Sequence, residues 1–252
     1  MINILMSGCN GKMGQVITRL SGQYNELNIA AGFDIFDSGK NSYPVYSDPA
    51  QCLLDIDVII DFSNPDALER ILGYAINRRI PIIVATTGIS TAQRKLLETA
   101  SRVIPVFFSA NMSLGVNLII DLVRKAARVL EPNFDIEIIE KHHNQKIDAP
   151  SGTALAIADS INAVLEQKQE YVYDRHSRRK KRNKTEIGIH AVRGGTIVGE
   201  HSIIFAGNDE VIEINHSAMS KDIFATGALR AAKFLYGKEP GMYDMNDLIA
   251  AE

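Results

Sequence analysis

INILMSGCNGKMG, residues 2–14, is a short apolar run that continues into a glycine-rich turn. Gly8, Gly11 and Gly14 are three residues apart, and a helical pattern follows them to about Tyr24. Glycine allows a tight turn and a close backbone approach to a ligand, while a helix start presents unpaired N–H groups and a positive dipole. A strand, a glycine turn and a helix in this order predict a site for the pyrophosphate of a dinucleotide.

The turn departs from the commoner pattern at Asn10, which stands where a middle glycine is usual. Tight turns alone also produce such glycine spacing, so a second feature is needed. Asp34 ends the predicted strand Leu27–Phe33, about twenty residues after the last glycine, where a carboxylate accepts from adenosine ribose hydroxyls. An ordinary strand-end cap is the alternative. No arginine follows Asp34, which favours NADH over its 2′-phosphorylated form, although Lys12 leaves use of both open.

Further apolar runs alternate with helical patterns in the first half of the chain. The predicted strands are residues 57–62, 80–86 and 103–108, and the predicted helices between them are residues 66–77 and 91–102. Continuous apolar strands alternating with helices are typical of a parallel sheet covered on both faces. We therefore predict an α/β, doubly wound (Rossmann-type) parallel-sheet domain.

Two loops follow the carboxyl ends of the last two of these strands, Ala85-Thr86-Thr87-Gly88 and Ser109-Ala110-Asn111-Met112. Open α/β sheets bind their ligands at this edge. Small residues and hydroxyls would let a nicotinamide ring lie close to the backbone. Simple loop chemistry is the alternative explanation for each loop taken by itself.

The pattern changes after residue 112 and predicts a smaller α+β domain. Its predicted helices are residues 115–130 and 152–166, and its predicted strands are residues 135–140, 185–193, 197–206 and 210–217. The last three resemble a meander, because glycine-containing turns separate them. A mixed, mostly antiparallel sheet follows from this pattern. We predict one domain over residues 1–112 with 221–252, and a second over residues 113–220.

EKHHNQKIDAPSGTA, residues 140–154, concentrates titratable groups ahead of a predicted helix. His142, His143 and Lys146 can bind an anion or move a proton. The Ser151-Gly152-Thr153 turn adds hydroxyls and the free N–H groups of a helix start, which suit a carboxylate or phosphate. A capped helix without a ligand is the alternative for the turn, but packing alone does not explain the adjacent histidines and lysine.

Composition excludes several classes of protein. The chain has 252 residues, a formal charge of −3 and no apolar run near the about 20 residues of a membrane span. Its two cysteines, Cys9 and Cys52, form neither a disulfide framework nor a metal-ligand pattern, and we predict free thiols in a reducing cytoplasm and no metal.

Seven of the 27 basic residues lie in one run: Arg175, Arg178, Arg179, Lys180, Lys181, Arg182 and Lys184. Such a run can bind nucleic acid. The alternative is a solvated loop between two elements, and residues 174–184 contain no aromatic side chain on which bases would stack.

In order along the chain, the motifs resemble those of the 4-hydroxy-tetrahydrodipicolinate reductase (dihydrodipicolinate reductase) family. The resemblance covers nearly the whole chain, and the segment from the histidine pair to Ser151-Gly152-Thr153 is its most specific part. Its other components are Gly8-x-x-Gly11-Lys12-Met13-Gly14, Ala85–Gly88, Ser109–Asn117, Ile187–Gly195 and Val198–His201. The basic run and Ser217, where relatives often have arginine, are departures.

The resemblance implies NAD(P)H-dependent reduction of 4-hydroxy-tetrahydrodipicolinate to tetrahydrodipicolinate with loss of water, in lysine and diaminopimelate biosynthesis. It implies a homotetramer assembled through the sheets of the second domain. His142 would be the proton donor and acceptor, Lys146 the proton donor, and His143, Ser151, Gly152 and Thr153 the substrate-binding residues. The implied cofactor-binding residues are Gly8, Cys9, Asn10, Gly11, Lys12, Met13, Asp34, Ala85, Thr86, Thr87, Ser109, Ala110, Asn111 and Met112.

Two other functions stay open at this level. One is another two-domain nicotinamide-dependent oxidoreductase that acts on a different carboxylated substrate. The other is a nucleic-acid-binding protein that uses the basic loop 175–184.

Overall fold

The chain folds into two units in the computed structural model, which describes residues 1–177 and 179–251. The first unit is Met1–Leu114 with Asp222–Glu252, and the second is Gly115–Lys221. Arg178, a member of the predicted basic run, lies outside the described residues, as does Glu252.

The elements alternate regularly only in the first half of the chain. The strands are β1 Ile2–Ser7, β2 Leu27–Phe33, β3 Val45–Tyr46, β4 Val58–Asp61, β5 Ile82–Val84, β6 Pro105–Phe108, β7 Asp135–His142, β8 Glu170–Val172, β9 Glu186–Arg193, β10 Gly199–Ala206, β11 Val211–Ala218 and β12 Gly241–Tyr243. The helices are α1 Lys12–Ser21, α2 Leu68–Arg78, α3 Thr91–Ala100, α4 Leu114–Leu130, α5 Gly152–Asn162, α6 Asp222–Leu235 and α7 Met245–Ala250.

The first unit contains a seven-stranded parallel sheet in the order β12-β6-β5-β4-β1-β2-β3. Successive side chains of β1 point to opposite faces of the sheet. Ile4 and Met6 therefore pack with α1 and α6 on one face, and Leu5 packs with α2 and α3 on the other. Strand order reverses between β1 and β4, which is where doubly wound sheets bind ligands. The predicted Rossmann-type domain is confirmed.

The second unit contains a five-stranded mixed sheet in the order β11-β10-β7-β9-β8. The antiparallel ladders of β10 with β11 and with β7 span eight and seven residue pairs, whereas the parallel ladders of β9 span seven and three. Ile138, Ile203 and Phe205 of this sheet pack against Val123 of α4 and Ile157 of α5. The predicted α+β architecture is therefore confirmed.

The predicted meander is wrong at its first connection, because β7 lies between β9 and β10 in the sheet. Turn residues between two strands do not require those strands to pair. The backbone N–H and C=O groups of β7 pair with β10 on one edge and with β9 on the other. Several element ends also differ from prediction, and two of them lie near the proposed site. β7 continues to His142 rather than ending at Glu140, and α5 ends at Asn162 rather than at residue 166.

Candidate functional site

The glycine turn is as tight as its sequence predicts. Gly8 has φ +79°, and a Cβ there would lie 2.7 Å from the Phe62 carbonyl oxygen. A Cβ on Gly14 would lie 2.3 Å from the Gly8 carbonyl oxygen. Gly11 is the N-cap of α1, and as a glycine it has no side chain to cap the first N–H groups of that helix. The turn thus offers a backbone cradle at an uncapped helix start, the arrangement that binds a pyrophosphate.

Asn10 links this turn to the segment after β2. Its N–H donates to Asp34 Oδ2 at 2.9 Å, and its side-chain oxygen accepts from Ser38 at 2.6 Å and from Asn41 at 2.9 Å. The other Asp34 oxygen accepts from the Ile35 N–H at 2.8 Å. Asp34 therefore lies beside the turn, as predicted, and a side chain at position 10 makes bonds that a glycine could not make.

A cavity of about 290 Å³ lies at the carboxyl edge of the first sheet. It brings together three predicted segments of the chain, since it is lined by Met13, Phe62, Ser63, Ala85, Thr86, Thr87, Ala110, Met112 and Phe224. Ser109 and Asn111 do not line it. The Ser109 hydroxyl donates to the Asn111 carbonyl at 2.8 Å, so these two residues shape the loop that carries Ala110 and Met112.

Sequence reasoning missed Asp61, the last residue of β4. Its side chain is fully buried and accepts hydrogen bonds of 2.6 Å from each of the Ser7, Ser63 and Thr86 hydroxyls. Burial raises the pKa of Asp61 despite these bonds. The carboxylate joins β1, the end of β4 and the loop after β5, so the Thr86 hydroxyl is used within the fold. An aspartate that ends a buried apolar strand was the available signal.

Glu140 is the centre of the site in the second unit. This fully buried carboxylate accepts from His142 Nδ1 at 2.6 Å, from the Ser151 N–H at 3.0 Å and from Arg193 at 2.8 and 2.7 Å. Burial acts to raise the pKa of Glu140, but the hydrogen bonds from Arg193, His142 and Ser151 outweigh it and lower the pKa. Glu140 and Arg193 were not predicted, since Glu140 meets Ser151 from 11 residues away and Arg193 from 53 residues away.

The anion-binding turn is only partly open. Ser151 is 2% exposed; its hydroxyl caps the Ala154 N–H at 3.1 Å and is hydrogen-bonded to His201 Nε2 at 3.1 Å. Gly152 is exposed and Thr153 is half-buried at the start of α5. Ser151 therefore builds the turn, while Gly152 and Thr153 are the members that a ligand can reach.

Lys146 lies on the loop that leads to this turn. Its Nζ donates to Asp148 Oδ1 at 2.8 Å, and hydrogen bonds from Lys146 and from the backbone lower the pKa of Asp148. His143 is half-buried, and its carbonyl accepts from the Lys146 N–H at 3.1 Å. The second unit therefore holds all the predicted proton-transfer and substrate residues, and the first unit holds all the predicted cofactor residues.

Two further histidines extend the site across the sheet. His142 of β7 and His201 of β10 have ring centroids 5.3 Å apart, and His201 and His216 of β11 are cross-strand partners 6.4 Å apart. Within residues 1–177 and 179–251, the Nδ1 atoms of His201 and His216 are buried without a hydrogen-bond partner. Burial, with smaller contributions from His142 and His216, lowers the pKa of His201 to about 4.

Comparison with known proteins covers both units. A family model described as "Dihydrodipicolinate reductase, N-terminus" matches residues 2–112, and one described as "Dihydrodipicolinate reductase, C-terminus" matches residues 115–249. The chain belongs to the dihydrodipicolinate reductase family.

Relatives in this family match at full length. The 4-hydroxy-tetrahydrodipicolinate reductase of Caldanaerobacter subterraneus subsp. tengcongensis is 54% identical over 253 residues, with 99% of this chain and 98% of the relative covered. The enzyme of the same name from Clostridium tetani is 47% identical, with 99% and 97% covered. A solved dipicolinate-bound dihydrodipicolinate reductase from a Paenisporosarcina species has the same fold, with a TM-score of 0.82, 23% identity, and 98% and 99% covered.

Two arginines of the basic run are built into the fold of this reductase-family chain. Arg182 pairs with Asp135 at 2.8 Å and with Glu137 at 3.0 Å, and Arg175 pairs with Glu137 at 2.7 Å and with Glu186 at 3.0 Å. These arginines hold the loop against β7 and β9. These two arginines are therefore not free to neutralise phosphates.

Two general findings concern the described part of the chain, residues 1–177 and 179–251. They contain no group of three or more His, Cys, Asp or Glu residues that could hold a metal ion. None of their helices is both long enough and apolar enough to span a membrane.

The buried His201 predicts a pH dependence of stability for this family member. Its pKa is about 4 in the folded chain and 6.5 ordinarily, so the unfolded state binds more protons between these values. Stability is therefore expected to fall as pH drops from about 6.5 to 4, by roughly 3 kcal/mol from this group. Thermal unfolding of the wild type and of His201→Gln should show a flatter profile in the variant. Identical profiles above pH 4.5 would contradict this assignment.

Proposed function

We propose that this chain catalyses the NAD(P)H-dependent reduction of 4-hydroxy-tetrahydrodipicolinate to tetrahydrodipicolinate, with loss of water, in lysine and diaminopimelate biosynthesis. The observation that carries the proposal is the Glu140 cluster, which ties His142 to the start of α5 in a chain that matches the reductase family over both units. A histidine held beside a helix N-terminus suits proton transfer to an anionic substrate.

The cofactor residues proposed for the first unit fit a dinucleotide. A Cβ on Gly8 or Gly14 would clash with neighbouring backbone, so these glycines allow the tight turn, and the N-cap of α1 is a glycine without a side chain. Asp34 lies beside that turn to accept ribose hydroxyls, while Ala85, Thr87, Ala110 and Met112 line the cavity at the sheet edge. When bound, the nicotinamide dinucleotide supplies the hydride.

NADH is proposed as the preferred form. A 2′-phosphate near Asp34 would meet its carboxylate, and Ile35 offers no compensating guanidinium. Lys12 is exposed at the turn and would allow some use of NADPH. Initial rates at varied concentration should give a higher kcat/KM with NADH than with NADPH. A higher value with NADPH would overturn the preference.

The second unit is proposed to bind the substrate and to move its protons. A dicarboxylate needs cationic and N–H donors, which His143 and the Gly152 and Thr153 amides would supply. Hydride addition to a conjugated imine leaves charge that an acid must quench, which is the role proposed for His142 and Lys146. Ser151 acts as the cap of the turn rather than as a direct ligand, because its hydroxyl and N–H are already bonded.

One assay tests the proposed function. Oxidation of NADH and of NADPH would be followed by absorbance with the condensation product of pyruvate and aspartate semialdehyde as substrate. We expect rapid oxidation that depends on this product. If neither cofactor is oxidised, the proposal fails; a panel of other carboxylated imines and keto acids then identifies a different oxidoreductase.

A homotetramer assembled through the second unit is also proposed. Ile139, Val192 and Ile204 lie on the face of the five-stranded sheet opposite to its core, and they are half-buried or exposed. Pairing of such faces between copies would cover them. Light scattering should give about four times the 27.7 kDa chain mass. A monomeric mass at assay concentration would overturn the proposal.

Action in a reducing cytoplasm is the proposed setting. Cys9 and Cys52 are free and buried. Burial raises the pKa of the Cys9 thiol to about 12, which suppresses its thiolate and its reactivity. Structural thiols of this kind are typical of proteins kept under reducing conditions.

A further inference from the structure

We infer that Glu140 and Arg193 are positioning residues that set the tautomer of His142. They also join it to the two segments of the proposed substrate site, the loop that carries Lys146 and the start of α5. The inference rests on the proton-transfer role proposed for His142. Neither residue is expected to touch the reacting atoms; both would act through the histidine.

The four hydrogen bonds to Glu140 determine which imidazole nitrogen is protonated. Oε2 accepts from His142 Nδ1 and Arg193, and Oε1 accepts from the Ser151 N–H and Arg193. An ionised carboxylate only accepts, so His142 Nδ1 must carry the hydrogen in its 2.6 Å contact. Nε2 is then the nitrogen that exchanges a proton with substrate, because Nδ1 stays bound to the carboxylate.

Arg193 allows this carboxylate to be both buried and ionised. Its two-pronged hydrogen bonding to Glu140 raises the pKa of Arg193, while the same bonds help to lower the pKa of Glu140. The pair is therefore neutral overall, and it can orient His142 without requiring a cationic ring. Alone, a fully buried carboxylate would favour protonation and would lose its control over the tautomer.

Arg193 also reaches the loop that carries Lys146. Its Nη2 donates to the Asp148 carbonyl at 2.7 Å, while Glu140 accepts from the Ser151 N–H. One ion pair thus connects the end of β7, the Lys146 loop and the start of α5. Glu140 is 53 residues and Asp148 is 45 residues from Arg193 in sequence.

Gly199 provides independent support for Nε2 as the working nitrogen. A Cβ at position 199 would lie 3.1 Å from His142 Nε2, closer than ordinary van der Waals contact. Gly199, on the neighbouring strand β10, therefore leaves space beside Nε2, the ring nitrogen that is not bonded to Glu140. A larger residue would press on this atom.

The test compares Glu140→Gln with a matched control, Glu137→Gln. Glu137 lies on the same strand and also accepts from two arginines and a histidine, namely Arg175, Arg182 and His190. In Glu140→Gln the amide group cannot accept four hydrogen bonds. We expect kcat to fall roughly tenfold to a hundredfold, with the Kd of NADH unchanged. Glu137→Gln should retain wild-type kcat at matched oligomeric state, even where its Tm falls.

Imidazole ¹⁵N NMR gives a readout that does not depend on substrate. In the wild type, the His142 signals, assigned with a His142→Gln sample, should show protonated Nδ1 and unprotonated Nε2. Glu140→Gln should mix the two tautomers, and Glu137→Gln should leave the His142 signals unchanged. Arg193→Lys keeps the positive charge but loses the two-pronged hydrogen bond to Glu140, so its kcat should fall less than that of Glu140→Gln. This variant also provides the test if Glu140→Gln does not fold.

Two results would overturn the inference: wild-type His142 signals in both Glu140→Gln and Arg193→Lys, or an equal kcat loss in Glu137→Gln. Failure of the proposed function is distinguishable from either. If the wild-type protein had no reductase activity, the proposed function would be refuted. The NMR comparison would still report whether Glu140 controls the tautomer of His142.

Discussion

Replacement of His142 by alanine is expected to lower kcat by roughly two to four orders of magnitude, the usual contribution of a positioned acid–base group. The imidazole is 11% exposed and held by Glu140 at 2.6 Å, so its position is fixed. The Kd of NADH should stay within about twofold of the wild-type value, because the proposed cofactor residues lie in the first unit. Steady-state kinetics with the cyclic substrate and fluorescence titration with NADH measure the two effects.

His190→Ala is the matched control for this variant. His190 lies on the neighbouring strand β9 and is hydrogen-bonded to Glu137 at 2.8 Å, so the substitution also removes a histidine–glutamate contact from the same sheet. It should leave kcat close to wild type. Wild-type turnover in His142→Ala, or an equal loss in His190→Ala, would refute the role proposed for His142.

Substitution of Gly14 by alanine should abolish dinucleotide binding. The added Cβ would lie 2.3 Å from the Gly8 carbonyl oxygen and 2.7 Å from the Cys9 Cα. Both atoms belong to the backbone, so no flexible side chain can yield, and the turn between β1 and α1 must open. We expect the Kd of NADH to rise at least a hundredfold, or beyond the measurable range, together with a lower Tm.

Gly73→Ala separates this steric effect from a general effect of glycine replacement. Gly73 lies inside α2, and a Cβ there would meet no atom within 4 Å. Alanine in a helix interior is favoured by about 0.5–1 kcal/mol over glycine, so Tm should rise slightly and NADH binding should not change. Unaltered NADH binding in Gly14→Ala would contradict the proposed cradle.

Features that depend on neighbouring residues were predictable from sequence. The run from β1 through the glycine turn to α1 depends on a continuous apolar stretch and on glycine spacing, and the structure has both. Asp34 was predictable for the same reason, since it directly follows an apolar strand. Strand pairing was less predictable from sequence. The turns after β9 and β10 both contain glycine, yet β9 pairs with β7, whereas β10 pairs with β11.

Sequence alone therefore determined the Rossmann-type half, the α+β half, the family, and the histidine–lysine segment that we propose as the proton-transfer site. Only the tertiary structure identified what surrounds that segment. Glu140 meets Arg193 from 53 residues away, and Ser151 meets His201 from 50 residues away. Such contacts depend on strand order and register, which local patterns do not encode. The same packing buried Ser151, because His201 is hydrogen-bonded to its hydroxyl and Glu140 accepts from its N–H.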